Sequence, residues 1–184
     1  MFTIIKDFII TAIDWKGRNS ILILRVCLGF VFIWFGFLKF FPSLSIAEAI
    51  ASKTISYISF GMIKTNLSMP ILATWECLIG LGLLTGRKMP FVLLLLYLQM
   101  VGTFFPLIIF RNDAWTNTFG VPSLLGQYII KNIILVSAGI VLGATSNGGA
   151  LISNPFIAED AIRLQSIYRR YERRFKKQPN IKKD

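Results

Sequence analysis

Arg25, Glu76 and Lys131 are ionisable residues inside stretches that otherwise read as lipid-spanning. A charge at the centre of a bilayer costs about 2.5–3.5 kcal/mol on insertion scales, so such residues face a bundle interior and pair with one another. Other polar residues fall near them at helical spacing. Gln99 and Thr103 are one turn apart, as are Gln127 and Lys131, with Tyr128 and Asn132 alongside. Arg25, Gly29, Phe32, Gly36 and Lys39 are spaced 4, 3, 4 and 3, which puts them on one stripe. The arrangement expected is a buried Glu76–Lys131 ion pair. Lys39, Gln99, Thr103, Gln127 and Asn132 are placed to supply its hydrogen bonds, because an unpaired carboxylate at that depth would neutralise. Two readings of the cluster stand side by side: a polar clamp that holds the bundle together, or a site for a ligand head group or a proton. Arg25 is shallower, from the opposite side, and reads as a structural residue that snorkels to lipid phosphates.

The inventory also excludes chemistry. The chain has no histidine, the commonest general base and a common metal and haem ligand, and no metal site is expected. Its two cysteines, Cys27 and Cys77, form no Cys-x-x-Cys pair and enter their spans from opposite sides. A dithiol mechanism and a disulfide are therefore not expected, and both read as small buried filler.

These residues must be positioned by helices in a membrane. Of 184 residues 54% are hydrophobic, and mean hydropathy is +0.64. That is too apolar for an ordinary soluble domain. Four runs approach or exceed the length that spans a hydrocarbon core: Ser20–Phe41, Met69–Thr85, Met89–Phe110 and Leu124–Ala144. Ser68 is read as a cap, Pro70 as a first-turn residue, Gly86 as a stop, and Pro106 as kinking the end of the third span. Residues 1–19 are amphipathic and read as an interfacial helix. In the loop 42–68, Ile46, Ala49, Ile50, Tyr57 and Ile58 predict a short helix on the outer surface. Trp115, Phe119 and Pro122 in the loop 111–123 read as interface anchors or as a cap on a cavity. The expected fold is all-α: an integral membrane four-helix bundle over 20–145, preceded by the interfacial segment 1–19. A basic tail over 146–184 follows and forms an amphipathic helix.

The net charge of +11 lies mostly in the termini and in the Arg87–Lys88 turn. The positive-inside rule puts both termini in the cytoplasm. The tail from Asn154 alternates apolar residues with Arg and Lys, which suits anionic lipid or a partner subunit. No nucleic-acid motif supports RNA as a partner. Four spans without an inverted repeat argue against a solute transporter.

Four stretches in order, LRVCLGFVFIWFGFLKFFP, WECLIGLGLLTGR, TFFPLIIF and GQYIIKNIILVSAGIVLGA, resemble the DoxX-like family of small four-span membrane proteins. The branch most resembled contains the reactive-chlorine-resistance inner-membrane protein. The resemblance covers about Ile21 to Ala144 and implies the bacterial cytoplasmic membrane, with links to thiosulfate:quinone oxidoreduction and to oxidative stress. If the family's polar core carries over, it falls on Arg25, Lys39, Glu76, Gln127, Lys131 and Asn132. The function implied is a redox-associated membrane protein that binds a quinone or similar lipid-soluble ligand at the outer polar cluster. Lys131 or Glu76 would handle a proton, and Trp75, Phe104 and Phe105 would line the ring pocket. The alternative is an accessory or assembly subunit of a larger membrane complex with no catalysis of its own.

Overall fold

The structure, a computed structural model, describes residues 2–118, 120–146, 149 and 151, with isolated positions between 157 and 167; for residues 2–7 and Thr65 it describes the backbone alone. Among the described residues the named helices follow in order: α1 Phe2–Leu38, α2 Glu48–Ile58, α3 Thr65–Thr85, α4 Met89–Ile109, α5 Arg111–Ala114, α6 Leu124–Ile130 and α7 Asn132–Ser146. Four stretches among the described residues are long and apolar enough to cross a membrane: Phe8–Leu38, Asn66–Thr85, Met89–Ile109 and Leu124–Ser146. Phe30, Trp34, Phe37, Leu81, Leu94 and Leu98 all point outward and exposed. Helices that are apolar all round belong in lipid, where their hydrogen-bond ladders satisfy the backbone internally. The protein is an all-α membrane bundle.

Several expected boundaries shift. The segment 1–19 is not a separate interfacial element, because α1 runs unbroken from Phe2 to Leu38. α3 begins at Thr65, about a turn before the expected start. Ser68 is therefore inside the helix, where its hydroxyl donates to the Ser52 hydroxyl of α2 at 3.0 Å, and it does not act as a cap. Pro70 and Pro106 lie inside their helices, so neither can return an N–H to the carbonyl a turn earlier. The fourth span is not one helix. It is interrupted at Lys131, whose carbonyl accepts from the Ile134 N–H, a tightened i to i+3 turn.

The predicted helix in the loop 42–68 is present as α2. Its buried residues are Ile50, Ser52 and Thr54, while Tyr57 and Ile58 are exposed. Trp115 donates its indole N–H to the Leu107 carbonyl at the end of α4, and the Ala114–Ser123 loop folds back through a Trp115–Pro122 bridge. Phe119 lies outside the described residues.

The core lies on the glycine faces of α1 and α3. A methyl added at Gly80 would lie 2.8 Å from the Gly29 carbonyl oxygen and 2.9 Å from the Ile33 nitrogen. Only glycine allows that backbone approach. Leu28, Phe32, Ile79, Leu83, Val92, Leu96 and Leu142 close around it. At that end the α3–α4 turn is made by Gly86 in the left-handed region (φ 68°).

In the unit from Gly149 onward the described positions between 157 and 167 are helical, including Arg163, Leu164, Ser166 and Ile167, all exposed. The rest of the predicted amphipathic tail, with its Asn154 start and its lipid contacts, lies outside the described residues.

Candidate functional site

The local sequence of α1 creates the site. Gly36 lets α3 approach so closely that a methyl there would lie 2.9 Å from the Glu76 Cβ. Three positions on, Lys39 stands just past the last turn of α1, with its N–H bonded to the Gly36 carbonyl. From there its ammonium meets Glu76 Oε2 at 2.5 Å and the Phe35 carbonyl at 3.3 Å. The ion pair is therefore Lys39–Glu76, which corrects the expected Glu76–Lys131 pair. Both residues are buried, at 7% exposure each.

The second oxygen of Glu76 is also taken. Gln99 Nε2 of α4 donates to Oε1 at 2.6 Å. The carboxylate is thus held on both sides, and the pair carries no net charge. A buried pair tolerates a low-dielectric site only when its remaining lone pairs are satisfied in this way. Because the Gln99 amide must present its NH₂ to the carboxylate, its own Oε1 faces away, buried and with no hydrogen-bond partner among the described residues. Thr103 donates back to the Gln99 carbonyl at 2.9 Å.

These groups line one side of a cavity of about 380 Å³ under α2. Its apolar wall includes Phe32, Phe35, Ile50, Ile55, Met100 and Leu135. α2 covers it with Ile50, Thr54 and Ile58. Tyr128, Lys131 and Asn132, on one face of the interrupted fourth span, also line it. Lys131 is exposed, and among the described residues its ammonium has no side-chain partner. The Tyr128 hydroxyl and the Asn132 amide are likewise unbonded among those residues. α6 is aimed by its cap: Ser123 Oγ accepts from the Gly126 N–H at 3.1 Å and donates to the Asp113 carbonyl at 2.7 Å.

The cavity therefore brings together Lys39, Glu76, Gln99, Thr103, Lys131 and Asn132. It does not include Gln127, which is exposed and donates to the Pro122 carbonyl at 3.4 Å. Arg25 stays at the other end of the bundle, its guanidinium over Gly86 where any Cβ would collide with it. There it faces the carboxyl end of α3, a favourable place for a cation. None of Trp75, Phe104 and Phe105 lines the cavity; the Trp75 indole donates to the Leu95 carbonyl at 3.1 Å and packs on the core. Phe32, Phe35 and Tyr128 take that place. Tyr128 was legible as the i−3 neighbour of Lys131, whereas Phe35 carried no signal that separated it from a lipid-facing ring. Cys27 is exposed rather than buried, and Cys77 is half-buried with its sulfur beside Gly36; both are free thiols.

This arrangement can hold a small molecule that has an apolar body and a polar head. A volume of about 380 Å³ lies in the range of small-ligand sites, and the polar groups converge from all four spans. The family model described as DoxX matches residues 20–109. No curated protein and no solved structure matches the chain.

Proposed function

The chain belongs to the DoxX family, and on that premise we propose that this multi-pass membrane protein binds a quinone-class ligand, a lipid-soluble ring with oxygen substituents, in the cavity under α2. The observation that carries the reading is the ammonium of Lys131, without a side-chain partner among the described residues, on the wall of a mainly apolar cavity inside the membrane-spanning region. A cation kept in lipid without a counter-ion is costly, and membrane-embedded ionisable residues mark ligand or ion paths. A ring oxygen accepting from Lys131 and Tyr128 relieves that cost. The apolar wall takes the ring, and the Lys39–Glu76 pair, with both carboxylate oxygens occupied, holds the helices around it. The role that follows is redox-associated binding of a membrane-soluble carrier. The basic Arg87–Lys88 turn and basic tail favour a cytoplasmic location for both termini in a bacterial inner membrane. In that orientation the cavity lies in the outer half of the bilayer.

Gly102 offers the test. It lines the cavity, and a methyl added to it would meet nothing within 4 Å. Gly102→Leu therefore fills the site and favours the helix. Thermal unfolding of the detergent-solubilised protein is measured with trimethylbenzoquinone and, separately, with trimethylhydroquinone under anaerobic conditions. At least one of the two raises the unfolding midpoint of the parent and leaves that of Gly102→Leu where it was. A parent unmoved by either compound, or a variant that responds equally, refutes the reading.

A further inference from the structure

We propose that the cavity is built for the hydroxyl-bearing, reduced form of its ring ligand rather than for the bare dicarbonyl; the inference rests on the quinone-class reading above. The argument is a count of hydrogen-bonding groups. A quinone oxygen only accepts. Lys131 can satisfy it, since an ammonium only donates. The site also holds a group that a quinone cannot satisfy. Gln99 is 9% exposed, lines the cavity, and has an Oε1 atom that is buried with no partner among the described residues.

Reversing the amide does not remove the mismatch. It would turn Oε1 toward Glu76 Oε1, setting two acceptors against each other at the present 2.6 Å contact. Glu76 thus fixes Oε1 as the acceptor left over on a residue that lines the cavity. Thr103 does not quench it, because its hydroxyl proton goes to the Gln99 backbone carbonyl. A buried acceptor of this kind is expensive to leave unmade and rewards an incoming O–H. A hydroquinone or other phenol answers both demands: one hydroxyl donates to Gln99 Oε1, and oxygen lone pairs accept from Lys131. The preference is one of binding alone, with no electron transferred.

Equilibrium binding to the purified full-length protein is compared for three ring compounds of similar shape: trimethylhydroquinone held reduced without oxygen, trimethylbenzoquinone, and the dimethyl ether of the hydroquinone. The hydroquinone is expected to bind about tenfold or more tightly than either of the others, the ratio that follows when a buried acceptor would otherwise stay unpaired. Lys131→Met is expected to weaken the hydroquinone and the quinone by a similar factor and so preserve the ratio. Gln99→Met is expected to bring the ratio close to one. Should that variant fail to fold, the ether comparison on the parent decides by itself. Equal binding of hydroquinone and quinone, or of hydroquinone and ether, overturns the inference while the quinone-class reading stands. Binding of none of the three overturns both.

Discussion

The two ends of this bundle solve opposite problems. At the Gly86 end, α1 and α3 press glycine against backbone, and large side chains such as Ile79 and Leu83 are fully buried. At the α2 end the same helices part around a void lined in part by polar groups, one of them an acceptor without a partner among the described residues. Close packing leaves side chains no alternative arrangement and so serves stability. The other end retains unsatisfied groups, the pattern of a site that waits for a ligand. Lys39–Glu76 sits at the boundary: Gly36, the last of the close-packing glycines of α1, brings Glu76 in, and the next turn delivers Lys39.

The sharpest way to break that boundary is to remove one half of the pair. Lys39→Met leaves the Glu76 carboxylate buried with only Gln99, and loss of one partner of such a pair costs about 3–5 kcal/mol. Unfolding by sodium dodecyl sulfate titration should register it. The double variant Lys39→Met/Glu76→Met should recover most of the loss, since a buried pair replaced by apolar residues is often neutral or better. If the double variant is as unstable as the single, the pair supplies more than charge compensation, and the boundary is a structural clamp in its own right.

A smaller effect separates the glycines of the two ends. Gly80→Ala puts a methyl 2.5 Å from Ile33 Cγ1 and under 3 Å from backbone atoms of Gly29 and Ile33. Side chains can yield but two helix backbones cannot, so about 1–3 kcal/mol is expected to be lost. Gly102→Ala adds the same methyl where nothing lies within 4 Å. It should be neutral or gain up to about 1 kcal/mol from helix propensity. The two are compared in the same detergent titration; equal losses would mean that the cavity end is as tightly packed as the other.

The stripe Arg25–Gly29–Phe32–Gly36–Lys39 was readable from the sequence because its period is a property of one helix, and in the structure Gly29, Phe32, Gly36 and Lys39 are buried. The choice of partner for Glu76 was not readable. Lys39 and Lys131 both approach its depth, and which one meets it depends on the register of α1 against α3. Contacts across helices set that register, here the approach of Gly36 to Glu76. The clue was Gly36 itself, since a lysine three positions past a contact glycine lies beside whatever the glycine faces. The extra turn of α3 was hidden because Ser68 looks like a cap, while its hydroxyl is bonded instead to Ser52. The cavity was hidden for a different reason. A void is what four helices and α2 fail to fill together, and no single-helix period reports it. Nor does Lys131 announce the break in its span, since neither glycine nor proline stands at the interruption.

The smallest effect concerns the other ion pair, which joins α2 to α5 above the cavity. Lys53 and Asp113 meet at 3.2 Å, with side chains 60% and 44% exposed. The charges are of the same kind as Lys39 and Glu76, but water solvates both partners. Coulomb attraction at high dielectric barely offsets the entropy of holding two mobile side chains, and salt screens the remainder. Lys53→Ala should therefore cost no more than about 0.5 kcal/mol, and less at high ionic strength. What holds α2 over the cavity is then the apolar burial of Ile50 together with the buried Ser68–Ser52 hydrogen bond. A loss from Lys53→Ala that approaches the loss from Lys39→Met, and that fades with added salt, would instead make the exposed pair the latch of the cavity.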